Sequence, residues 1–80
     1  MNKEEVKGKL KDFFVSNLGC DAEVLQADTA LFGDEIGLDS VDSLEIISFV
    51  DDEFGVSMTG VGKEPFYSID TIAEFIVTHA

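Results

Sequence analysis

From Lys3 to Leu18 the apolar residues Val6, Leu10, Phe13, Phe14 and Leu18 recur at helical spacing with lysines and acids between them. This is the pattern of a helix that buries one stripe and leaves the rest in water. No segment of the chain alternates apolar and polar residues with period two, so nothing in it reads as a half-buried strand. Gly19 comes after the last apolar position of the stripe, where a residue without a Cβ ends a helix by taking positive φ at no steric cost.

Two further stretches repeat the pattern. Between Ser40 and Phe54, at about 100° per residue, Ser43, Ile46, Ile47, Val50 and Phe54 share one arc, which reads as the core face. The opposite arc carries Val41, Glu45, Ser48 and Asp52, with Leu44 and Asp51 at its edge. Val41 and Leu44 are apolar on a face that should be wet. Either they are covered by the preceding loop, or they form a small apolar patch ringed by carboxylates, as a docking surface does. Gly55 closes this helix, and Gly60, Gly62 and Pro65 break up the next stretch of chain. Pro65 suits the first position of a short helical turn in EPFYS, because its missing N–H costs nothing there. A last helix is expected from about Ile69 to Thr78, with Ile69, Ile72, Ala73, Ile76 and Val77 inward and Ser68 or Asp70 as its cap.

Residues 19–39 show no sustained period, yet Val24, Leu25, Leu31, Phe32, Ile36 and Leu38 are too apolar for a solvated linker. They read as a long loop packed on the helices, a feature that is usually functional in a compact domain. The expected architecture is all-α, a small three-to-four-helix bundle with a long loop between its first two helices. Eighty residues make a single domain, residues 1–80, able to bury roughly 60% of the unfolded chain's surface.

Charge narrows the function. Seventeen acidic residues face five basic ones, a net charge of −12, and the chain has no Arg. Nucleic acid is an improbable partner for such a surface, because phosphates are bound through Lys and Arg. Anionic membranes are disfavoured on the same ground. Lys3, Lys7, Lys9 and Lys11 sit in the first eleven residues, whereas fourteen acids and one Lys are found from Gly19 onward. The acidic remainder is either a solvating face or a surface offered to basic partners. No stretch approaches a membrane span, and the only cysteine, Cys20, can form no internal disulfide. Cys20 reads as an incidental thiol, and the chain as a cytoplasmic monomer.

Catalytic chemistry finds no footing. The only histidine, His79, lies next to the C-terminus and would make a poor base for a Ser-His-Asp arrangement. Zinc lacks His and Cys ligands. Neither Asp34 nor Asp39 begins the ligand series of an EF-hand loop, and no glycine stretch matches a P-loop or dinucleotide fingerprint. No catalytic residue and no metal site are expected.

What remains is GLDSVDSLEII, residues 37–47, in which Asp-Ser occurs twice. An Asp then a Ser before an apolar-periodic run is first a helix N-terminus signal. The longer stretch EIGLDSVDSLEIISFVDDEFGV resembles the acyl carrier protein family, in which Leu-Gly-x-Asp-Ser-Leu leads into an acidic helix ending near Glu-Glu-Phe. The likeness extends more loosely through the Lys-rich first helix, the apolar loop and the ending SIDTIAEFI.

That resemblance implies a serine carrying 4′-phosphopantetheine, derived from coenzyme A, through a phosphodiester, with acyl intermediates held as thioesters on its terminal thiol. The serine needs no activating base, because a separate phosphopantetheinyl transferase attaches the group. The N–H groups and macrodipole of a helix start should tolerate the phosphate.

The family's spacing to the Phe that closes the helix matches Ser40 and Phe54, although the literal string Asp-Ser-Leu falls at Ser43. Periodicity favours Ser40, since Ser43 shares the arc of Ile47 and Val50 and is expected to point inward. By the same carry-over Asp39, Val41, Asp42, Leu44, Glu45, Ser48, Asp51 and Asp52 correspond to the surface read by acyl-transferring and acyl-modifying enzymes with basic docking patches. The chain departs from the family at Val41, usually Leu, and at Ser48, where fatty-acid carriers often have Met.

Fatty-acid, polyketide and specialised acyl pathways all remain open. A peptidyl or aryl carrier of a nonribosomal assembly line usually has Gly-Gly-x-Ser where this chain has Gly37-Leu38-Asp39-Ser40. An unmodified acidic helical interaction module is the remaining alternative.

Overall fold

The computed structural model describes residues 2–33, 36–62 and 64–79. Asp34 and Glu35, the first a rejected calcium ligand and the second the start of the family-like stretch, lie outside the described residues.

Three helices form where the apolar stripes fall: α1 at Lys3–Asn17, α2 at Ser40–Phe54 and α3 at Ile69–His79, with a 3-10 turn at Glu64–Phe66. Each has a chemical start, and α1 and α2 each end at a positive-φ glycine. The Asn2 side chain accepts from the Glu5 N–H at 2.9 Å to open α1. At its end Gly19 takes φ 70°, and the Cys20 N–H reaches back to the Phe14 carbonyl at 3.1 Å. Ser68, rather than Asp70, caps α3. Its hydroxyl accepts from the Thr71 N–H at 3.3 Å, while the Thr71 hydroxyl accepts from the Ser68 N–H at 2.9 Å.

The core joins all of these elements. Val6, Leu10, Phe13 and Phe14 of α1 meet Ile46 and Val50 of α2 and Ile69, Ile72, Ala73 and Ile76 of α3, with Val56, Met58 and Phe66 from the connection between α2 and α3. Residues 19–39 are packed as expected: Leu25, Leu31 and Leu38 are buried, although Val24 and Phe32 are more exposed. Two backbone hydrogen bonds hold this loop to the far end of the chain. The Leu31 N–H donates to the Tyr67 carbonyl and the Asp70 N–H to the Ala27 carbonyl, each at 2.8 Å.

The buried arc of α2 is wider than periodicity alone predicts. Ile46 and Val50 are its buried centre, while Ile47 and Phe54 are only half-buried. On the other flank Phe49, which falls outside the expected arc, is half-buried and stacks on Phe13 with ring centroids 4.2 Å apart and 12° between the planes. Contact with α1 therefore pulls the arc toward Phe49, and the stack adds about 0.5–1.5 kcal/mol beyond area burial.

The N-terminal lysines are drawn to α3. Lys3 lies 3.1 Å from both Asp70 and Glu74, and Lys7 lies 3.2 Å from Asp70. Hydrogen bonds from Lys3 first and Lys7 second hold the Asp70 carboxyl below its ordinary range, and Glu74 and Asp70 hold Lys3 above its own.

Candidate functional site

The start of α2 is built by Asp39 and Asp42 together. The Asp39 carboxylate accepts from the N–H groups of Val41 at 3.0 Å and Asp42 at 3.2 Å, and the Asp42 carboxylate accepts from the Asp39 N–H at 3.1 Å. This reciprocal capping box fixes where the loop turns into the helix. The Ser43 N–H completes the turn by donating to the Asp39 carbonyl at 3.3 Å.

The two serines have different surroundings. Ser40 is exposed, and its hydroxyl makes no hydrogen bond among the described residues. Ser43 is half-buried, and its hydroxyl donates to the Ser40 carbonyl at 2.6 Å. It does not point into the core, as its place on the helical arc predicts; it stands on the wall of a groove, because the buried arc is centred nearer Ile46.

That groove, about 730 Å³, opens between the start of α2, the loop and the segment before α3. Its walls include Ser40, Ser43 and Ile47 of α2, Ala30 and Phe32 of the loop, and Met58, Val61, Phe66 and Tyr67. The loop residues and Tyr67 were not legible as a site.

The expected docking residues are distributed unevenly. Val41 and Leu44 are 66% and 65% exposed, so the loop does not cover them. Glu45, Ser48, Asp51 and Asp52 are exposed as well. Asp42 is different: half-buried and bonded to the backbone of Asp39, it is committed to the helix start. Glu45, Ser48 and Asp52 also border a second cleft, about 550 Å³, shared with Asp12 and Phe13 of α1. Lys9 of α1 lines the same cleft and pairs with Glu53 at 3.3 Å, so α1 brings both signs of charge to this edge, which periodicity within one helix could not have revealed.

Cys20, half-buried at the end of α1, has its thiol pushed upward by burial first and by the Asp42 carboxylate second. It therefore stays protonated and unreactive near neutral pH. Among the described residues no group of His, Cys, Asp and Glu is placed to hold a metal ion, and no helix is long and apolar enough to cross a membrane.

Ser40 thus stands exposed at the head of an acidic helix, beside an apolar groove. The chain belongs to the family described as the phosphopantetheine attachment site, which it matches over residues 8–76. It is 30% identical to a protein named acyl carrier protein from Chloroherpeton thalassium over 77 residues, covering 96% of this chain and 95% of that one. It is 29% identical to another of that name from Chlorobium phaeovibrioides, also over 77 residues, covering 96% and 97%.

The group carried in this family is 4′-phosphopantetheine, and its members work with a phosphopantetheinyl transferase and with acyl-handling enzymes. The residues at the start of α2 fit such an arm in access, through an exposed hydroxyl beside an apolar groove. They do not offer the backbone cradle expected for its phosphate. Asp39 already occupies the Val41 and Asp42 N–H groups, so a phosphate on Ser40 has to face solvent, away from two carboxylates.

Proposed function

We propose that this chain, residues 1–80 acting as one acyl carrier domain, bears 4′-phosphopantetheine on Ser40 and delivers acyl groups to partner enzymes. The observation that carries the reading is the exposed Ser40 hydroxyl, without a hydrogen bond among the described residues, at the mouth of the apolar groove. When bound, the group supplies a thiol that holds the acyl chain as a thioester. The protein's own residues do the rest. Asp39 fixes the helix start and keeps Ser40 outward, and the groove walls give an apolar chain a place out of water.

Val41 and Leu44 offer an apolar contact amid Glu45, Asp51 and Asp52, while Ser48 sits open beside them. That arrangement suits enzymes with a basic rim and an apolar centre, whose approach the net charge of −12 would speed. Ser48, where fatty-acid carriers often have an apolar residue, bears on which partner enzymes read this face, in fatty-acid, polyketide or specialised acyl biosynthesis. The same surface fits a cytoplasmic monomer.

Incubating the purified apo chain with coenzyme A and a promiscuous phosphopantetheinyl transferase tests this directly. Intact mass should rise by one phosphopantetheine, and peptide mapping should place it on Ser40. A folded chain that gains nothing, or gains the group elsewhere, overturns the assignment.

A further inference from the structure

The groove beside Ser40 sets three aromatic residues among the aliphatic Ala30, Ile47 and Val61, with Glu64 at its wall. Phe32, Phe66 and Tyr67 all line it, and the thioether of Met58 adds a soft, polarizable surface. Phe66 is buried, but Phe32 and Tyr67 are 40% and 57% exposed, so their rings meet both groove and solvent. Their backbones are joined: the Leu31 N–H, next to Phe32, donates to the Tyr67 carbonyl at 2.8 Å. The two rings are therefore held on tied segments, and a ligand that stacks on them does not have to order the chain first.

A saturated chain needs only apolar area and gains most from aliphatic side chains that conform to it. Aromatic faces add a preference of their own, since offset and edge-to-face arrangements reward a second π system beyond the area buried. Gly62 also lines the groove, and the space where its side chain would be is open, which leaves room for a flat, rigid group to approach the backbone.

We infer, on the reading that Ser40 bears the arm, that this groove selects aryl and aryl-conjugated acyl chains over saturated ones. Phe32 and Tyr67 are the specificity-determining residues.

The test loads the full chain by transferase with cinnamoyl-coenzyme A or with nonanoyl-coenzyme A, a saturated acyl chain of equal carbon number. Singly loaded protein is confirmed by intact mass, and its thermal unfolding is compared with that of the holo form. The cinnamoyl form should melt above the nonanoyl form by about 4 °C or more. Phe32→Leu with Tyr67→Leu keeps both positions apolar and removes the two exposed rings, so in that variant the difference should fall to within error while any gain from the nonanoyl chain remains. Equal melting of the two wild-type forms, or a higher nonanoyl value, overturns the inference and leaves the carrier reading standing. So does a difference that survives the double variant. A chain that takes up no arm on Ser40 overturns the carrier reading and the inference together.

Discussion

The Ser43 hydroxyl donates to the Ser40 carbonyl across 2.6 Å, so the two serines of the repeated Asp-Ser pair are bonded to one another, and among the described residues only the Ser40 hydroxyl of the pair has no partner. Ser40→Ala should abolish loading by the transferase. Ser43→Ala should still be loaded and should lose about 0.5–1.5 kcal/mol of stability, the worth of an ordinary hydrogen bond. Intact mass and urea unfolding of the two variants separate these outcomes. Full loading of Ser40→Ala would place the attachment one helical turn further on.

The Asp39 carboxylate satisfies two N–H groups of α2 at once. Asp39→Ala should therefore destabilise the chain by about 0.5–2 kcal/mol, and Asp39→Asn by much less, because an amide oxygen also caps. The midpoints of urea unfolding report the difference. Equal losses for the two variants would mean that charge, rather than capping, is what Asp39 contributes.

On the exposed face of α2, reversing Glu45 and Asp52 to Lys should slow loading while leaving unfolding nearly unchanged. Such charges act over roughly 8–10 Å at physiological ionic strength, and single exposed pairs are worth about 1 kcal/mol or less. Raising salt should slow the wild type and affect the double reversal less. Stopped-flow loading at two ionic strengths decides it, since an unchanged rate for the variant removes this face from recognition.

The links between α1 and α3 give stability a defined pH dependence. Asp70 is held below its ordinary value by Lys3 and Lys7, so its contribution is present above about pH 3.9, the unfolded value, and is lost as pH falls through its lower folded one. Lys3 is held above its ordinary value by Glu74 and Asp70. Its contribution is complete below about pH 10.4 and is lost as pH rises through the folded value. Thermal melts across these ranges should show both limbs, and Asp70→Asn should flatten the acid one. Both groups keep partial access to solvent, so the changes should be small and should shrink with salt.

The helices were legible because each carries its own evidence, a stripe at helical spacing with a capping residue before it and, for α1 and α2, a glycine after it. The position of Phe49 was not. At about 100° per residue it lies outside the arc drawn through Ile46, Ile47 and Val50, and only the neighbouring Phe13 explains why it turns inward. Ser43 was misplaced toward the core for the same reason. Asp42 could be read from the chain as an acid at a helix start, but its bond to the Asp39 backbone depends on the turn that the loop makes. The groove was hidden entirely, since Phe32 and Tyr67 come together only through hydrogen bonds between segments far apart in sequence.

Those bonds, from Leu31 to Tyr67 and from Asp70 to Ala27, act as a clasp. One edge of the groove hangs from residue 32 and another from residue 67, so neither edge can swing out while both bonds hold. The spacing of the two edges is then set by main-chain bonds, and the side chains on them are presented at a fixed separation for as long as the clasp stays shut. The amide protons of Leu31 and Asp70 should exchange with solvent in step, and their common rate would report how often the clasp opens.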